Sequence, residues 1–295
     1  MLKLKVSSSF ILIVMKTKPL NFVQLLKKRW RYGLLSLLVA TGLVIGTPQV
    51  AYGFSFLDLL FRGVQVFQLS NLSAEQEVNL GKQINQQLLE NEITLSRNQQ
   101  LNAYVNRIGQ RLVPHSDRPD IPYTFQVVQD DSINAFATMG GFVYVNTGLI
   151  ATADNESELA SVIAHEIAHI AAEHAVEQMR ERAIAQGLLS ATGLDESTAV
   201  QIGVDLAVSR PNSREDELEA DQKGLRNLTQ AGYAPIGMVT FMEKLQQQGG
   251  SPPAFISTHP ATSDRIEALK AQINHPTQGD GLNTQVYHRQ TQALR

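Results

Sequence analysis

The chain contains no cysteine. That absence removes a disulfide scaffold, a thiolate zinc site and a cysteine nucleophile together, so any metal must be held by His, Asp or Glu. An excess of charge of one sign is also missing. Lys and Arg number 25 against 28 Asp and Glu, for a net charge of -3. With no basic surplus there is no electrostatic footprint for nucleic acid, and no such partner is expected. Nor does the chain hold the roughly 20 consecutive apolar residues that a membrane-spanning helix requires. Its longest apolar stretch, Leu34 to Gly46, is shorter. Internal repeats and low-complexity blocks are absent as well.

What is present begins with an address. Lys27, Lys28, Arg29 and Arg31 stand directly before the apolar stretch, and Thr47-Pro48 and the small-residue pattern Ala51-Tyr52-Gly53 follow it. A positive region, a short apolar region and small residues in that order describe a secretory signal peptide. An uncleaved anchor over the same 1–53 is the competing reading, and Met15 is a second candidate start. Export to the periplasm or another extracytoplasmic compartment is expected. The Phe- and Leu-rich segment from Phe54 to Leu69 reads as a core helix, or as one associated peripherally with a membrane surface.

Beyond it, Ser73-Ala74-Glu75-Gln76 has the form of a capping box and opens a helix to about Glu90. A second helix from about Ser96 carries Leu101, Val105, Ile108 and Leu112 on one face and stops at Pro114. Tyr123 to Val128, Asn134 to Ala137 and Phe142 to Val145 read as short strands. Helices are expected again over Glu156 to Met179, Ala183 to Thr192, Ser197 to Val208, Ser213 to Ala231, Pro235 to Gln247 and Asp264 to Ile273. From His275 the chain is polar and loosely patterned, and 276–295 is expected to be a tail. Helices, a small sheet, then helices point to an α+β fold.

The chemistry lies in His165-Glu166-Ile167-Ala168-His169. Positions four apart share a helix face, so His165 and His169 can aim at one zinc ion. Glu166 stands beside that point, able to take a proton from a water held there without being a ligand. Two histidines and a glutamate in a solvated helix would be unremarkable. Here Leu159, Val162, Ile163, Ile167, Ala168, Ile170 and Ala171 make the helix apolar nearly all round, and buried polar groups need a partner. A metal supplies it. His174, five residues past His169, falls about 140° further round a continuous helix and reads as a surface or outer-shell histidine. The missing ligand is sought in Ser213 to Asp221, where Glu217 and Asp221 share a face and Glu219 points away. One carboxylate can bind the metal while its neighbour orients a ligand histidine.

HEIAH followed by Glu217-Leu218-Glu219-Ala220-Asp221 resembles metallopeptidase family forty-eight, gluzincins that include the CAAX prenyl protease, HtpX and the periplasmic β-barrel assembly-enhancing protease. The resemblance covers about Ser73 to Ile273. It implies a mainly helical zincin-like domain, taken as 54–275, with one zinc per chain on His165, His169 and Glu217 and with Asp221 supporting the site. Asn134-Ala135-Phe136-Ala137 with Gly140-Gly141 looks like the family's edge strand and turn. This implies that the strand borders the cleft and that Asn134, Ala135, Phe136 and Gly141 hold an extended substrate. Thr258-His259-Pro260 with Arg265 matches a further element. The match implies that His259 stabilises the oxyanion or occupies the fourth position, and that Arg265 assists at the same charge. The spanning helices and the helical repeat domain of the larger branches are not found, so partner recognition by such repeats is not expected. The stretch between Glu173 and Arg214 is expected to cover the cleft.

Two functions follow from these residues. One is a zinc endopeptidase that acts on unfolded or misfolded envelope proteins. The other is a zinc-dependent holdase that binds such chains and rarely cuts them. A purely structural zinc site fits less well, because such sites fill all four positions, usually with Cys and His.

Overall fold

A computed structural model describes residues 66–67, 69, 72–188, 194–209, 212–247, 253–260 and 263–294. The signal or anchor expected over 1–53 lies outside these residues. The helix expected over 54–69 falls partly outside them, and its end is corrected. Val66–Phe67 form strand β1, paired antiparallel with β5, Leu194–Asp195. Val and Phe favour strand, and the segment's mixed apolar spacing carried no helical period.

The first two helices are α1, Ala74–Asn91, and α2, Gln99–Leu112. Ser73 and Gln76 cap each other reciprocally at the start of α1. Asn98, rather than Ser96, caps α2 by accepting from the N–H groups of Gln100 and Leu101. A three-stranded sheet follows in the order β2 (Thr124–Val128), β4 (Phe142–Asn146), β3 (Ala135–Thr138). β2 runs parallel to β4, and β3 antiparallel to it. Successive side chains on a strand point to opposite faces. The central β4 therefore sends Val143 and Val145 into a core shared with α2, and Phe142 and Tyr144 into a second core against α1.

The short helix α3, Thr147–Thr152, leads into α4, Glu156–Ala171, which is buried from Ser157 through Ile170. Then come α5 (His174–Ala185), α6 (Glu196–Ser209), α7 (Arg214–Gln230), α8 (Ile236–Gln247), α9 (Ala254–Thr258), α10 (Ser263–Gln272) and α11 (Thr284–Gln290). α7 and α8 both pack on α4. At Gly224 of α7 an added Cβ would stand 3.1 Å from the His165 Cα, so this small residue lets the two helices approach closely. The fold is α+β and mainly helical, as expected. Among the described residues no helix is long and apolar enough to cross a membrane.

Two readings need correction. The helix expected over Glu156 to Met179 is two helices, α4 and α5, broken at Glu173 with φ 60°. The segment after His275 is docked on the body. Gly281 O accepts from Ser157 N, and the buried Tyr287 donates to Ile150 O at 2.6 Å. One buried tyrosine on a seven-residue helix leaves no periodic pattern to read.

Candidate metal centre

Helix α4 places His165 and His169 one turn apart with their Nε2 atoms 3.0 Å from each other. Glu217, in the first turn of α7, brings Oε1 to 3.3 Å from His169 Nε2 and Oε2 to 3.4 Å from His165 Nε2. His259, just after α9, sets Nδ1 at 2.9 Å from Glu217 Oε1 and 3.3 Å from His165 Nε2. One ligand atom from each of His165, His169, Glu217 and His259 lies within 4.8 Å of the other three, and all four residues are buried. Sequence distance had hidden how fully His259 joins this set.

Behind the donors stands Arg265. It was expected beside the charge that develops on a substrate, and the structure corrects this. The side chain is 1% exposed; Nη1 contacts Glu217 Oε2 at 2.6 Å, and Nε and Nη2 meet Asp221 Oδ2 and Oδ1 at 2.6 and 2.7 Å. Nη1 also donates to Pro260 O at 2.9 Å, and the side chain is not among those that line the cleft. Asp221 Oδ1 in turn lies 3.2 Å from His165 Nδ1, on the ring edge away from the cluster. Arg265 thus orients Asp221, and Asp221 orients His165.

Glu166 is 1% exposed, and among the described residues neither of its carboxylate oxygens has a hydrogen-bond partner. Its nearest charge partner is His259 Nε2, 3.5 Å from Oε1. Burial raises its carboxyl above the usual range, partly offset by His259 and His165. A buried carboxylate with no hydrogen bond, facing a knot of imidazoles, is an unfavourable arrangement unless something else occupies the space between them. Three imidazoles and one carboxylate form the N/O set that a zinc ion accepts, so these residues fit a metal.

The proton count supports a prediction. Burial lowers His165, but Asp221 and Glu217 more than reverse this and raise it to about 10. Burial pushes His169 down to about 3. Burial opposes ionisation of Glu217, yet His259 and His165 hold it below the usual range. In the metal-free chain at neutral pH one proton therefore sits on His165, and a ligand imidazole must be neutral. Loading zinc at pH 7 is expected to release the His165 proton, and affinity should rise with pH up to the His165 value. Calorimetric titration in two buffers of different ionisation enthalpy measures this; identical enthalpies would contradict it.

The cleft beside Glu166, His169 and His259 is lined on one side by Phe136, Ala137 and Thr138 of the edge strand β3. The Phe136 ring stacks on Tyr144 at 4.5 Å. The other strand residues do not line this cleft. Ala135 is fully buried in the core, and Asn134 precedes the strand with its backbone O accepting from Asn146 N. Gly141 is needed for backbone reasons, since its φ is 96° and an added Cβ would stand 2.1 Å from Pro122 O. Gly141→Ala is expected to lower unfolding free energy by about 2 kcal/mol or more, read by denaturant titration.

The opposite wall comes from the stretch expected to cover the cleft: Ala175, Val176 and Gln178 of α5, Gly203, Leu206 and Ala207 of α6, and Asn212. Sequence reasoning missed Asn212 and Gln178. Gln178 Nε2 donates to Asn212 Oδ1 at 2.7 Å, Asn212 Nδ2 donates to Glu217 Oε1 at 2.8 Å, and Asn212 N donates to Thr258 O. Asn212 thus links the covering wall to a metal-site carboxylate and to the segment that carries His259. No motif marks it, because the contact exists only once three elements are folded together.

Residues 99–273, more than half of the chain, match the family model for peptidase family M48. The chain belongs to peptidase family M48. The enzyme class expected from HEIAH, a metallopeptidase, follows from that membership. M48 relatives include the β-barrel assembly-enhancing protease of Escherichia coli K12, 33% identical over 222 residues, 70% of this chain and 45% of that protein. The mitochondrial metalloendopeptidase OMA1 of Schizosaccharomyces pombe is 34% identical over 185 residues, 59% of this chain and 55% of the relative. The metalloprotease LoiP of Escherichia coli K12 is 28% identical over 226 residues, 73% of this chain and 88% of the relative. The chain spans less than half the length of the assembly-enhancing protease it matches.

Proposed function

We propose that this M48 chain is a zinc-dependent endopeptidase that cuts extended or unfolded segments of proteins in the cell envelope. One observation carries the reading: His165, His169, Glu217 and His259 converge within 4.8 Å, beside the buried Glu166 carboxylate. His165, His169 and Glu217 would hold a zinc ion, which would supply Lewis acidity towards a water and towards the charge that develops on the scissile carbonyl. Glu166 receives the proton of the attacking water and delivers it to the departing amine. Its raised carboxyl pKa suits a group that must hold that proton between the two steps. The cleft-facing segment Phe136 to Thr138 offers an extended chain a place to pair as an added strand. Such pairing needs unfolded substrate, because a folded protein has no free strand to present. The envelope location rests on the basic and apolar N-terminal pattern and on a relative named for β-barrel assembly.

His259 supports a second reading. Its Nδ1 stands inside the donor set, where a fourth protein ligand would exclude the catalytic water and leave a chain that binds but seldom cuts. The test is metal content together with cleavage of unfolded casein. One zinc per chain is expected, with cleavage abolished by a chelator and restored by zinc. If the wild type and His259→Ala both bind zinc and suppress aggregation yet cut nothing, the holdase reading replaces the peptidase one.

A further inference from the structure

We infer that His174 is a positioning residue of the metal centre, accepting a hydrogen bond from His169 Nδ1 and so fixing the tautomer that aims His169 Nε2 at the ion. The inference rests on the zinc reading above. A metal-ligand histidine presents one ring nitrogen to the ion and donates the other N–H to a fixed acceptor, which sets ring orientation and basicity. At His165 the group standing there is the Asp221 carboxylate, with Oδ1 3.2 Å from Nδ1. His169 Nδ1 faces His174 Nδ1 instead, at 2.8 Å, and the His174 side chain is buried.

Two imidazole nitrogens at that separation share one hydrogen, so one donates and the other accepts. The ligand role decides which. A neutral imidazole that gives Nε2 to an ion carries its hydrogen on Nδ1, so His169 donates and the His174 Nδ1 lone pair accepts. The far edge of the His174 ring faces carboxylates, with Nε2 3.5 Å from Glu219 Oε2 and 3.8 Å from Asp216 Oδ1, but forms no hydrogen bond there among the described residues.

The backbone is bent to make this contact. Glu173 is the only non-glycine residue with positive φ among those described, a conformation disfavoured when a Cβ is present. Had α4 continued through it, His174 would face about 140° away from His169. The break is pinned by Arg118, whose Nη1 contacts Glu173 Oε1 at 3.1 Å and donates to Ile170 O. The plain alternative is that His174 merely fills space under α4, in which case any side chain of similar size would serve.

The two roles separate by substitution in the full chain. In His174→Asn the side-chain oxygen can stand where Nδ1 stood; in His174→Gln the amide reaches the Nε2 position; His174→Leu fills the volume with no acceptor. Zinc affinity by chelator competition and the visible spectrum of the cobalt(II) form report on the centre. The melting temperature of the metal-free chain reports on packing. His174→Leu and His174→Gln are expected to weaken zinc binding 10- to 100-fold and to shift the cobalt spectrum, with His174→Asn within a few-fold of wild type. If Asn is as weak as Leu, or if Leu binds zinc like the wild type and only the metal-free melting temperature falls, the inference is overturned. A wild type that takes up no zinc would overturn the metal reading itself and the inference with it.

Discussion

Replacing Glu166 by Gln is expected to lower turnover on unfolded casein by about a thousand-fold or more while zinc content stays at one per chain. The amide keeps the shape of the side chain but cannot accept the water proton. Glu166 is not one of the four clustered donors, so the metal should remain. Its burial and raised carboxyl pKa add a second expectation. Because burial disfavours the charged form, the neutral amide should leave the metal-free chain at least as stable as the wild type. Steady-state kinetics, metal analysis and a denaturant titration read the three quantities. A variant that retains turnover, or loses zinc along with it, would remove Glu166 from the proton-transfer role.

Arg265→Ala should do the most damage to the fold. The guanidinium is the buried counter-charge to Glu217 and Asp221, and its removal leaves two carboxylates facing one another inside the protein. Taking one partner from a buried ion pair costs about 3–5 kcal/mol. Zinc affinity should fall too, since Glu217 and Asp221 lose the group that orients them. Arg265→Lys should not rescue, because a single ammonium cannot reproduce three contacts made through Nε, Nη1 and Nη2. Denaturant unfolding and chelator competition measure both effects. A residue acting at the oxyanion would behave otherwise, reducing turnover with stability and zinc affinity unchanged, and that outcome would restore the role first expected from the sequence.

Much of the framework is local and could be read directly. The Ser73 and Ser213 capping boxes, the amphipathic faces of α1 and α2 and the all-round apolarity of α4 are short-range patterns. The bounds expected for α1, α2 and α7 lie within a few residues of those observed, whereas the helix opening at Glu156 was expected to run on to Met179 and ends at Ala171. The break at Glu173 was not legible, because nothing around Ile170 to His174 carries a Gly or Pro to announce it. The turn is imposed by Arg118 and by the contact between His169 and His174, both formed at a distance in sequence or only after the chain has turned. Asn212 escaped notice for the same reason.

The sequence by itself determined the chemistry on offer: with no cysteine, any metal must rest on His, Asp or Glu, and the four-residue spacing of His165 and His169 places both on one turn of a buried helix. Tertiary structure alone decided what each remaining group does. It drew His259 in among the donors, turned Arg265 away from the cleft to clamp two carboxylates, and brought His174 under His169. The physical reason is that helical periodicity fixes relations within about one turn, whereas the packing of α4, α7 and the segment after α9 fixes relations between residues up to 94 positions apart, such as His165 and His259.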